Sequence, residues 1–121
     1  MLSKDINYKD EWYELFKPNF KAFDEDHPYW GMKYADRWET IVRTLSLEND
    51  IWNLSVLDIG CGMGRALSYF KRNGAVKVLG IEPSEKACKE SRLGADEQIN
   101  SYFLTAPISE QFDVVHIEQV L

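Results

Sequence analysis

The chain has 121 residues, 45% hydrophobic and 28% charged, which suits one globular domain with a single core rather than a disordered chain. A net charge of −6 and a pI near 4.9 disfavour undirected attraction to nucleic acid, whose phosphates call for clustered Lys and Arg. No apolar run approaches the roughly 20 residues of a membrane span, residues 1–7 lack a secretory core, and Cys61 and Cys88 have neither metal-ligand spacing nor a disulfide framework. The expectation is a cytoplasmic protein with free thiols and no metal.

In chain order, the first 38 residues hold 10 of the 16 aromatics. Tyr8, Trp12, Phe16, Phe20 and Phe23 recur at helical steps, one face of an amphipathic helix that is re-aimed near Pro18. Residues 24–28 read as a loop. A second helix is predicted over about 32–47, with Trp38, Ile41, Val42 and Leu45 inward, closed by residues 48–50. The period then changes. Residues 54–59 form a buried strand that runs into glycines, and residues 65–73 a helix stopped by Gly74. Residues 76–81 are a second strand. Ser84 caps a helix predicted to reach Leu93 before Gly94. A weak third strand lies within 98–104 and a fourth over 112–117. This alternation predicts an α/β fold with parallel strands and helical crossovers.

The residues suited to chemistry gather at the ends of the first two strands. Gly60, Gly62 and Gly64 alternate directly behind a strand and open a helix. Lacking a Cβ, glycine takes positive φ and lets a ligand approach the backbone, and the amides that begin the next helix favour electron-rich groups. A dinucleotide fingerprint places its third glycine three positions after the second. Arg65 stands there. The third glycine comes instead at 64, and Asp58 precedes the first by two. Away from a ligand the same residues would make an ordinary glycine turn with Asp58 as a structural cap. Glu82 ends the second strand, where a carboxylate can accept both hydroxyls of a ribose and would repel the extra phosphate of NADP.

Asp58-x-Gly60-x-Gly62-x-Gly64 resembles the first signature motif of class I S-adenosylmethionine-dependent methyltransferases, and the likeness extends over roughly residues 38–121. It implies a Rossmann-like parallel sheet with flanking helices. It implies that the backbone around Gly60, Cys61, Gly62 and Gly64 meets the methionine part of S-adenosylmethionine, with Asp58 orienting the loop or reaching the ammonium. Glu82 would take the ribose and Pro83 pack on the adenine face. The family usually has an acid at the end of the third strand for the adenine amino group. Here Asn100 or Ser101 stands at about that place, and Asp96 comes too early.

Residues 112–121 resemble the family's fourth-strand motif, with His116, Glu118 and Gln119 near the ligand-binding end of the sheet. Glu118 joins the cofactor-binding set. His116 has the free pKa of a general base, but strand alternation alone also places it under a helix. In domain terms, residues 1–50 form an aromatic-rich helical cover and residues 51–121 a cofactor-binding half-domain. Tyr29, Trp30 and Tyr34 either line a lid or pack as core. The sequence stops directly after the fourth strand, so the sheet is expected to be truncated or completed by a partner copy through the exposed fourth-strand edge. The function expected is methyl transfer to a small-molecule acceptor. The rivals are a nicotinamide-dependent oxidoreductase and a non-catalytic fragment that keeps the cofactor corner.

Overall fold

The structure is a computed structural model that describes residues 10, 11, 14, 30–46 and 51–117. The predicted helix over 8–23, the loop over 24–28, Tyr29, the turn at 48–50 and Glu118 lie wholly or mostly outside the described residues. Four strands form one sheet: β1 (Ser55–Ile59), β2 (Lys77–Glu82), β3 (Gln98–Asn100) and β4 (Val114–Ile117). Every pairing is parallel and the order is β3-β2-β1-β4. The chain therefore builds outward from β1 to β3 and then returns to the far side of β1. That reversal is a topological switch point, and open α/β sheets bind ligands beside such points, here at the carboxyl ends of β1 and β4. The expected Rossmann-like α/β sheet is the one observed.

Strand alternation splits the core into two layers. Val56 and Val78 face one side, where Leu67 and Phe70 of α2 (Arg65–Arg72) and Trp38 of α1 (Trp30–Ser46) bury them. Ile41 and Val42 of α1 pack on the same cluster, as their helical spacing predicts. Leu57, Leu79 and Ile81 face the other side, covered by Ala106, Ile108 and Phe112 from the crossover that leads to β4. A cavity of about 370 Å³ opens on this second face, lined by Leu57, Phe103, Ile108, Phe112 and Val115 among others. β4 stands at the sheet edge with Val115 and Ile117 more than half exposed. Its register is fixed by a reciprocal clasp. Ser55 donates through N and Oγ to Asp113 Oδ2 at 2.8 and 3.0 Å, and Asp113 N donates back to Ser55 Oγ at 3.1 Å.

The helix after β2 is shorter than the sequence predicts. α3 spans Glu85–Lys89, and Ser84 caps it by accepting from Ala87 N at 3.1 Å. Residues 91–93 leave the helix because the glycine loop offers them better partners. Arg92 N and Ser91 Oγ both donate to Met63 O, at 2.8 and 3.3 Å, and Leu93 is buried against Gly64. β3 is also brief, three residues followed by a 3-10 turn over Phe103–Thr105. Among the described residues no helix is long and apolar enough to cross a membrane.

Candidate functional site

The link between β1 and α2 carries Gly60, Gly62 and Gly64 at φ 77°, 55° and 76°. All three lie in the left-handed region that an L side chain resists. Gly60 N and Cys61 N both donate to Ile81 O, at 2.8 and 3.1 Å, which folds the loop over the end of β2. The glycines do different work. A Cβ on Gly64 would lie 2.5 Å from Leu93 Cγ, whereas one on Gly62 would meet nothing within 4 Å. Gly64 is thus a packing glycine, and Gly62 faces open space.

Cys61 turns its thiol inward against Gly80 of β2, where a Cβ would sit 2.5 Å from the sulfur. Burial, aided by the carboxylates of Asp58 and Glu82, pushes this thiol far above its ordinary range and holds it protonated. Of Cys61, the backbone is what borders the loop. A glycine inside a buried strand signals close backbone approach. The sequence signal for this contact is Gly80 itself, a glycine within the apolar run of β2.

Glu82, half-buried at the end of β2, joins the loop to the next turn. Its Oε1 accepts from Gly62 N at 2.9 Å and its Oε2 from Ser84 N at 2.8 Å. Burial raises this carboxyl above the ordinary value, the two amides pull it back, and the nearby Asp58 and Asp10 carboxylates push it up again. Asn100, paired with Glu82 across β2 and β3, donates its amide to the carbonyls of Glu82 and Pro83, both at 3.0 Å. Ser101 N donates to Glu82 O at 3.1 Å, while its hydroxyl turns toward Tyr102 O and Thr105 Oγ1. Asp96 lies on an exposed 3-10 turn before β3.

The structure thus brings Asp58, Gly60, Cys61, Gly62, Gly64, Glu82, Pro83, Asn100 and Ser101 to the carboxyl ends of neighbouring strands. It also pairs two residues that the sequence left apart. Asp58 and His116 are direct neighbours across β1 and β4, and His116 Nδ1 donates to Asp58 Oδ1 at 3.0 Å. The His116 ring packs edge-on against Phe70 at 5.8 Å, the under-helix placement that alternation allows.

A family model described as a methyltransferase domain matches residues 56–121, more than half of the chain. The chain belongs to this family. The resemblance to class I S-adenosylmethionine-dependent methyltransferases, drawn from the glycine motif, is borne out. Among solved structures, this methyltransferase-family chain is similar to the plantazolicin methyltransferase BpumL in complex with a monoazolic desmethylPZN analog and SAH. The identity is 20% and the TM-score 0.56, with 89% of this chain and 44% of that one covered. It is also similar to a Listeria monocytogenes protein assigned to the S-adenosylmethionine dependent methyltransferases, at 28% identity and TM-score 0.48, covering 62% of this chain and 38% of that one. The chain therefore spans less than half the length of either structure. No curated protein matches it.

Proposed function

We propose that this chain binds S-adenosylmethionine across the glycine loop and Glu82 and forms the cofactor half of an enzyme that methylates a small-molecule acceptor. The observation that carries the reading is the 2.9 Å hydrogen bond from Gly62 N to Glu82 Oε1. It holds the two motif elements, 20 residues apart in the chain, against each other. The residues suit the cofactor. Gly62 leaves room where a side chain would stand, and each Glu82 oxygen, holding one backbone amide, keeps a lone pair for a ribose hydroxyl. Pro83 and Asn100 border the adenine side, and the Asp58–His116 pair supports the loop from below. Glu118 belongs to the same set on its sequence position alone.

When bound, S-adenosylmethionine supplies a methyl carbon already activated by positive sulfur. The protein's task is alignment and exclusion of water, which removes the need for a catalytic triad. The net charge of −6 supports a small acceptor over nucleic acid. Two free cysteines favour a reducing compartment, the cytoplasm. Calorimetric titration with S-adenosylhomocysteine and with NADH tests the reading. Binding of the first alone is expected, and binding of NADH alone would reassign the site to a dinucleotide.

A further inference from the structure

One buried contact joins the start of the chain to the cofactor corner. Asp10 is only 9% exposed, and a carboxylate tolerates burial only where hydrogen bonds replace its water. Its Oδ1 accepts from Ser84 Oγ at 2.6 Å and from Lys86 N at 3.2 Å. Ser84 itself is 2% exposed and fully engaged: its hydroxyl also accepts from Ala87 N, and its amide donates to Glu82 Oε2. Ser84 therefore stands between two carboxylates, hydroxyl to Asp10 and amide to Glu82. An exposed pair, Lys86 with Glu14 at 3.7 Å, lies on the same flank. Loss of Asp10 would take the acceptor from the Ser84 hydroxyl and the Lys86 amide and loosen the turn over residues 83–86, which carries one of the two amides that aim Glu82.

We propose that Asp10 is a positioning residue for the cofactor site, docking the helical turn of residues 10, 11 and 14 onto the turn that presents Glu82 and making cofactor affinity depend on that docking. The claim rests on the cofactor reading above, and its test separates the two. Wild-type chain, Asp10→Ala and Asp10→Asn are titrated with S-adenosylhomocysteine, and tryptic cleavage after Lys86, whose amide Asp10 holds, is timed without ligand. Asp10→Asn keeps an acceptor oxygen for Ser84 and Lys86. Asp10→Ala is expected to bind about tenfold more weakly and to be cut faster, while Asp10→Asn binds within about threefold of wild type. Alanine binding like wild type, or asparagine as weak as alanine, overturns the proposal. Should wild type bind no S-adenosylhomocysteine, the cofactor reading falls. Cleavage after Lys86 then decides the docking alone: unchanged cutting in Asp10→Ala refutes it, faster cutting upholds it.

Discussion

Gly62→Ala and Gly64→Ala are the same chemical change at two points of one loop, and the structure predicts unequal costs. Both residues hold positive φ, 55° and 76°, so each alanine pays about 1–2 kcal/mol for the left-handed backbone. The gain from a stiffer unfolded chain is the same for both and cancels in the comparison. Only Gly64 adds a clash, with Leu93 Cγ at 2.5 Å, Leu93 Cδ1 at 2.9 Å and Ser91 Oγ at 3.1 Å from the new Cβ. Overpacking of this kind costs about 1–3 kcal/mol more, a large share of the 5–15 kcal/mol that typically holds a domain together (roughly). Urea unfolding followed by tryptophan fluorescence measures it, since Trp38 is buried against Tyr69. Gly64→Ala should lower the midpoint well beyond Gly62→Ala, and Leu93→Ala in the Gly64→Ala background should cost less than the single changes sum to. Equal midpoints for the two alanines, or strict additivity with Leu93→Ala, would refute the assignment of Gly64 to packing.

Gly62→Ala should retain most of its stability yet lose affinity for S-adenosylhomocysteine, as calorimetry on the folded variant would show. Glu82 titrates above the ordinary carboxylate value of 4.5. The folded state therefore holds its proton longer than the unfolded one, and stability falls as pH rises from that value through the raised one. Glu82→Gln should flatten this decline in urea midpoints taken across the window. His116→Phe keeps the ring beside Phe70 but removes one hydrogen bond from buried Asp58; a loss of about 1.5–3 kcal/mol in unfolding free energy is expected. Burial pushes Cys88 up to about 11 and Cys61 higher still, so an aromatic disulfide reagent at about pH 8 should react more slowly with both thiols in the folded chain than after unfolding, Cys61 the slower of the two.

The parallel sheet was legible because its strands are apolar runs punctuated by glycine and because Ser84 and Gly74 mark helix ends by local chemistry. The glycine loop and Glu82 were legible for a related reason: their constraint is a backbone one, and it leaves a fixed spacing. What the sequence hid is contact across distance. Nothing in local pattern ties Asp10 to Ser84, or Asp58 to His116, because each pair meets only after the sheet order is set. The early end of α3 was hidden likewise. Residues 90–93 carry no breaker, and it is the carbonyl of Met63 on another loop that draws them away.

The double tether on Glu82 has a thermodynamic consequence. A free glutamate at a strand end samples several rotamers, and immobilising one costs up to about 2 kcal/mol of conformational entropy. With one backbone amide on each oxygen, that ordering is complete before any sugar arrives. If Glu82 takes the ribose as proposed, the sugar would meet a receptor already set in shape, and little of its binding free energy would go to stiffening the protein.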